Sequence, residues 1–129
     1  MALRLEHVTQ ATHGAQKLWA ELVEASHGVR GASAIFDVLG DFDGVIEGGS
    51  VWLGHDDEPV SLAVLDQGIV KILYVAKGHR RRGVGRATLA ALLSQAAPID
   101  AWALPGDRAS KSLYESVGWR ARLLTMRGE

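Results

Sequence analysis

Three short apolar runs set close together constrain the fold of this chain more than any other feature. They are Val51–His55, Val60–Leu65 and Ile69–Ala76. Their connections, Asp56-Asp57-Glu58-Pro59 and Asp66-Gln67-Gly68, carry turn residues and are too short for a crossover, so the three strands must form an antiparallel meander. The third run leads without a spacer into Lys77-Gly-His-Arg-Arg-Arg-Gly-Val-Gly-Arg86, and a helical pattern follows with Leu89, Leu92, Leu93 and Ala96 on one face. A Gly-rich turn therefore joins the last strand of a meander to a helix.

The remaining elements are arranged around that centre. Leu3–Val8 alternates well enough for a first strand. Thr9 can cap a helix whose stripe is Ala15, Leu18, Trp19 and Leu22, with Gly28 as its stop, and Ser33 can cap a second helix running to Leu39 before Gly40. Asp41–Ser50, with three glycines, reads as loop. After the Gly-rich helix, Pro98 is a stop, and Ile99–Leu104 reads as a strand parallel to the Ile69 strand. Asp107 caps a helix over Arg108–Val117, Gly118 ends it, and Trp119–Met126 reads as a last strand. The expected class is α/β (α+β): a mixed, largely antiparallel central sheet with helices on both faces.

At 129 residues, with 47% hydrophobic and 22% charged residues, the chain is expected to form a single domain over 1–129 and not a disordered or repetitive segment. No apolar run reaches membrane-spanning length, and the opening Met-Ala-Leu-Arg-Leu-Glu lacks the pattern of a signal peptide. The absence of Cys excludes thiol nucleophiles, disulfides and Cys-held zinc and fits a reducing cytosol, so a cytoplasmic location is expected. The net charge of −1 argues against a general nucleic-acid or membrane-surface binder. That figure conceals an asymmetry: Lys77–Arg86 holds five of the 14 basic residues and no acid, which leaves −6 on the rest. A basic, Gly-rich turn at a helix start offers unpaired N–H groups and positive charge to an anion.

Three phosphate-binding patterns can be compared with this turn. A P-loop needs Lys-Ser/Thr after its second glycine, but Gly78-x4-Gly83 is followed by Val84-Gly85. A dinucleotide fingerprint needs a third Gly or Ala where Thr88 stands, and a parallel array where a meander precedes. Arg80-Arg81-Arg82-Gly83-Val84-Gly85 instead fits Arg/Gln-x-x-Gly-x-Gly/Ala, preceded by Leu73-Tyr74-Val75. With the downstream Asp107-x6-Tyr114-Glu115-x-x-Gly118-Trp119, the segment Val51–Trp119 resembles the GNAT N-acetyltransferase superfamily.

The resemblance implies transfer of an acetyl group from acetyl-CoA to a primary amine by direct attack, without a metal. It implies that the backbone of Leu73, Tyr74 and Val75 pairs with the pantetheine arm, and that Arg80, Arg81, Arg82, Gly83, Val84, Gly85 and Arg86 hold the pyrophosphate. Most of the arginine side chains are expected to be solvated and to steer the polyanion. Tyr114 is the expected general acid toward the departing thiolate. Asp107 replaces the family's usual Asn; a carboxylate caps a helix equally well but cannot donate a hydrogen bond to pantetheine.

No general base stands out. Trp102 and Ile69 occupy positions where relatives carry acids, Asp41, Asp43 and Glu47 read as loop residues, His79 lies in the phosphate turn, and His55 closes a strand. Asp41-Phe42-Asp43-Gly44 echoes a calcium loop but lacks the other ligands. Only ten residues follow Trp119, too few for the family's last two strands, so the acceptor pocket is expected to be open or completed by a second copy in a homodimer. The expected acceptor is an amine on a small molecule or protein. A catalytically silent acetyl-CoA sensor of the same fold is the alternative. A basic-loop RNA binder stays as a third reading that predicts no stabilisation by CoA and strong, salt-sensitive RNA affinity.

Overall fold

The structure, a computed structural model, describes residues 2–29, 32–98, 100–123 and 126. Five strands, β1 (Arg4–His7), β2 (Val51–Asp56), β3 (Glu58–Asp66), β4 (Ile69–Val75) and β5 (Asp100–Ala101), lie side by side in chain order. The first four are antiparallel to their neighbours, and β5 runs parallel to β4. The meander follows from its turns. Gln67 and Gly68 both take positive φ, the two-residue turn whose twist matches a hairpin, and Asp57, also at positive φ, closes the tip between β2 and β3.

Helices α1 (His13–Ser26), α2 (Ala32–Leu39) and α3 (Phe42–Glu47) precede β2; α4 (Val84–Gln95) and α5 (Arg108–Ser116) follow β4 and β5. Two apolar layers hold them to the sheet. Leu18, Leu22, Ile35, Val45 and Ile46 pack with Val51, Leu53, Leu62, Val64, Ile72 and Tyr74, while Val70, Leu89 and Tyr114 form a smaller cluster with Leu73, Leu113 and Trp119. Trp19 ties the first three helices together, stacked on Phe42 at 4.7 Å and edge-on to Phe36 at 5.8 Å.

The second layer depends on small residues. Ser61 and Ala63 are fully buried, and Ser61 meets Thr88 of α4. The Thr88 hydroxyl donates to the Val84 carbonyl at 2.8 Å and takes the Ser61 hydroxyl proton at 2.7 Å, so this buried polar pair is satisfied internally. Thr88 thus occupies the buried face together with Leu89 and Leu92, whereas Leu93, expected on that face, is exposed.

Other expectations shift for local reasons. Helix α1 begins later than Thr9 suggests, because Thr12 provides the cap by accepting the Ala15 N–H. Ser33 lies inside α2, which starts at Ala32. The expected loop at 41–50 contains α3: Asp41 accepts the Gly44 N–H at 2.8 Å, and Val45 and Ile46 bury the inner face. That capping role also removes the calcium-loop reading. Strand β5 has two residues rather than six, and its expected first residue, Ile99, lies outside the described residues.

No strand forms among the described residues of Trp119–Met126, part of which lies outside the described residues. Trp119 turns back to stack on Tyr114, and Leu123 and Met126 face solvent. Among the described residues no helix is long and apolar enough to cross a membrane, and no three His, Asp or Glu side chains gather to hold a metal ion.

Candidate active site

β4 and β5 pair only at Ile69–Asp100 and Val70–Ala101, and the Trp102 N–H then reaches the Val70 carbonyl at 2.9 Å. Beyond that point the strands part. Leu73, Tyr74 and Val75 keep their β3 partners but, among the described residues, have no strand on the other side; Tyr74 turns its N–H and C=O to β3, while the outward groups of Leu73 and Val75 line a cleft of about 620 Å³, the Val75 carbonyl meeting Arg80. An extended polar chain laid there can complete the ladder. The shortness of β5, bounded by Pro98 and Pro105-Gly106, is what opens this edge.

The start of α4 forms the end of the cleft. Gly83 is its N-cap at φ +78 and supplies no side-chain cap, and the first intrahelical bond runs from the Ala87 N–H to the Gly83 carbonyl. The N–H groups of Val84, Gly85 and Arg86 therefore have no protein acceptor among the described residues, at the positive end of the helix dipole. The two glycines answer different demands. Gly83 has open space around it but a left-handed backbone; at Gly85 a Cβ would lie 3.3 Å from Leu113, so glycine there lets α4 approach α5.

The arginines are less free than their sequence suggests. Arg80 lies over the Tyr74 ring and donates to its hydroxyl at 3.3 Å and to the Val75 carbonyl at 3.4 Å. Arg82 donates to His79 Nδ1 at 2.9 Å and pairs with Asp56, and Arg86 donates to the Ser116 carbonyl. Arg81, at φ +63, has no side-chain partner among the described residues and lines the cleft. Because a guanidinium can only donate, His79 Nδ1 must accept and Nε2–H must face Glu58 at 2.9 Å, which fixes a neutral tautomer.

Tyr114 is 6% exposed, stacks on Trp119, and its hydroxyl has no hydrogen-bond partner among the described residues. It does not line the cleft, although its helix neighbours Ser110 and Leu113 do. Burial first and the nearby Asp107 charge second push its pKa far above the ordinary range, so the phenol stays protonated throughout physiological pH. Tyr74 is also pushed up, by burial and by Glu21, against the opposing effect of Arg80. Asp107 caps α5 with one oxygen on the Ser110 N–H at 3.1 Å and the other on the Ser110 hydroxyl at 2.6 Å. It is the only carboxylate lining the cleft among the described residues, and both its oxygens are engaged. Asp41, Asp43 and Glu47 do not line it, while Trp102 does. Lys71, which no motif in the sequence marks, also lines it.

A parallel pair that opens beside an uncapped, basic helix start can receive an extended, phosphate-bearing ligand. Residues 30–121, well over half of the chain, match the family model described as an acetyltransferase (GNAT) domain, and the chain belongs to that family. It is 38% identical over 126 residues to a mycothiol acetyltransferase of Clavibacter sepedonicus, covering 81% of this chain and 41% of that protein. A second mycothiol acetyltransferase, from Clavibacter michiganensis subsp. michiganensis, is 41% identical over 77 residues, covering 55% of this chain and 25% of that protein. The chain thus spans less than half of either relative.

Among solved structures, a Bacillus halodurans protein superposes with a TM-score of 0.68 at 18% identity over 100% of this chain and 99% of that one. Diaminobutyrate acetyltransferase EctA of Paenibacillus lautus, solved with L-2,4-diaminobutyric acid and coenzyme A, gives 0.58 at 18% identity over 90% of this chain and 74% of that one. These likenesses establish the fold.

Proposed function

We propose that this chain, as a single domain over 1–129, transfers an acetyl group from acetyl-CoA to a primary amine by direct attack. The observation that carries the reading is the open β4 edge at Leu73–Val75 beside the unsatisfied N–H groups of Val84–Arg86. Peptide-like pantetheine suits the first and a pyrophosphate the second. Acetyl-CoA supplies a thioester whose carbon accepts the amine nitrogen; as the C–S bond breaks, the nitrogen's surplus proton passes to solvent and the departing thiolate takes up a proton. The chain's part is to hold the arm along β4, keep the phosphates at α4, and place a donor near the departing sulfur. We assign the last of these to Tyr114, whose protonated hydroxyl has no partner among the described residues and whose helix neighbours line the cleft, so a shift that brings a sulfur against it would fill its unused hydrogen bond. Of the four arginines in this turn, Arg81 has no side-chain partner among the described residues and is the one left to meet a phosphate.

The cleft supplies no free base among the described residues, since Asp107 is engaged as a cap and His79 is held between Arg82 and Glu58. In this reading the amine arrives deprotonated from solvent, the acceptor is an amine on a small molecule or protein, and the setting is cytoplasmic. The same lack of a base favours a second reading, a catalytically silent acetyl-CoA sensor. Thermal shift with CoA and acetyl-CoA, followed by thiol release with a panel of amines, separates the two. Stabilisation with turnover supports the enzyme, stabilisation without turnover on any amine supports the sensor, and no stabilisation removes both.

A further inference from the structure

Lys71 occupies a place that strand alternation alone would not give it. In the β3–β4 pair Val64 faces Ile72 and Leu65 faces Val70, so Lys71 is the extra residue of a β-bulge. Val70 and Leu73 both pack on the α4–α5 side, while Ile72 and Tyr74 pack on the α1–α2 side. The bulge absorbs the odd step and turns Lys71 onto the α1–α2 face, where it lines the same cleft as the open β4 edge. Only 9% exposed, its Nζ donates to Asp66 Oδ2 at 3.0 Å and stands 5.0 Å from the Trp102 ring centre.

An ammonium carries three N–H groups. Asp66 takes one, and no other acceptor meets Nζ among the described residues. A buried charge paired through a single hydrogen bond is a poor route to stability, since an apolar side chain of similar size would serve the fold as well or better. Ile35, Phe36, Ile72 and Trp102 line the same cleft and are largely apolar, and Lys71 is the only lysine lining it among the described residues; with Asp66 it also borders a second hollow of about 200 Å³ beside Leu39 and Val45. Two residues of strand, about 7 Å, separate Lys71 from Leu73, where the pantetheine slot begins, so one small acceptor can touch both.

We infer that Lys71 binds a carboxylate of the acceptor, and that the acceptor is an amino acid or short peptide with a free carboxylate rather than a simple amine. This rests on the acetyl-transfer reading above. The Nζ donates its unused N–H groups to the carboxylate, the apolar walls take the stem, and the amine is left facing the thioester.

The test measures thiol release with L-leucine, L-phenylalanine, L-ornithine and glycyl-L-leucine, each against its carboxamide, for the natural chain, Lys71→Met and Lys71→Arg. With concentrations counted as free amine, the expected result is a preference for acids of about tenfold in kcat/KM, the worth of one charge-assisted hydrogen bond. It should reside mainly in KM, vanish in Lys71→Met and survive in part in Lys71→Arg. A lysine that merely pins Asp66 would not move the acid-to-amide ratio. Equal use of acids and amides by the natural chain, or an unchanged preference in Lys71→Met, overturns the inference. If CoA binds but no amine turns over, calorimetric titration of the same compounds into the CoA-saturated protein decides, with binding of acids over amides in support and no difference against. If CoA does not bind, the acetyl-transfer reading fails separately, and the same titrations on the free chain judge Lys71 alone.

Discussion

Replacing Tyr114 by Phe should make the protein more stable and less active. The ring lies in the cluster with Val70 and Leu89 and stacks on Trp119 at 5.8 Å, contacts that Phe retains. What Phe removes is a hydroxyl that is buried without a partner. Such a group costs about 1–3 kcal/mol, so a gain of about 1 kcal/mol is expected, or roughly 3–6 °C in Tm for a chain of this size. The pH dependence adds a second signature. Burial and then Asp107 raise the folded pKa above the unfolded value of 10.0, so the contribution is fully present below pH 10. It is lost as pH rises beyond 10, because the unfolded chain ionises first. The variant should lack this part of the alkaline loss. Urea unfolding from pH 7 to 11 measures both effects, and thiol release with a saturating amine measures the third, a fall in kcat of about ten- to a hundredfold. A less stable variant would refute the orphaned hydroxyl. A more stable variant with unchanged turnover and pH profile would refute the general acid.

Three other outcomes are expected of the same molecule. With no base in the cleft, kcat/KM should rise with pH to a plateau set by the acceptor, and its midpoint should track the amine pKa across a series of amines; a midpoint fixed near 6–7 for every amine would reveal a protein base instead. Thr88→Val leaves the Ser61 hydroxyl buried without an acceptor and should cost about 1–3 kcal/mol in urea unfolding, whereas Ser61→Ala with Thr88→Val should cost less than the single change. Arg81→Ala should weaken CoA binding and flatten its salt dependence with little effect on Tm, because this side chain has no partner among the described residues; calorimetry at two salt concentrations checks it.

Much of this was legible in the residues. The turns at Asp57 and at Gln67-Gly68 dictate the meander, and Gly83-Val84-Gly85 marks the uncapped start of α4. Local signals failed where tertiary contacts decide. Thr9 reads as the cap of α1, and only the position of the Ala15 N–H selects Thr12 instead. Asp41 looks like a loop residue until Val45 and Ile46 find a core to bury against. Trp119 reads as strand by composition, yet the Tyr114 ring captures it. The arginine run looks solvated because nothing local discloses Asp56, Tyr74 or the Ser116 carbonyl as partners. Lys71 was invisible as a site residue for a related reason: only the bulge, which depends on the register against β3, tells which face it takes.

The central claim is that one ligand spans the open β4 edge and the start of α4. Titrating CoA into the protein and following backbone amide NMR signals tests it directly. Saturable one-to-one binding is expected, with the largest shifts at Leu73–Val75 and Val84–Arg86. Absence of binding, or shifts confined to residues away from both segments, would contradict it.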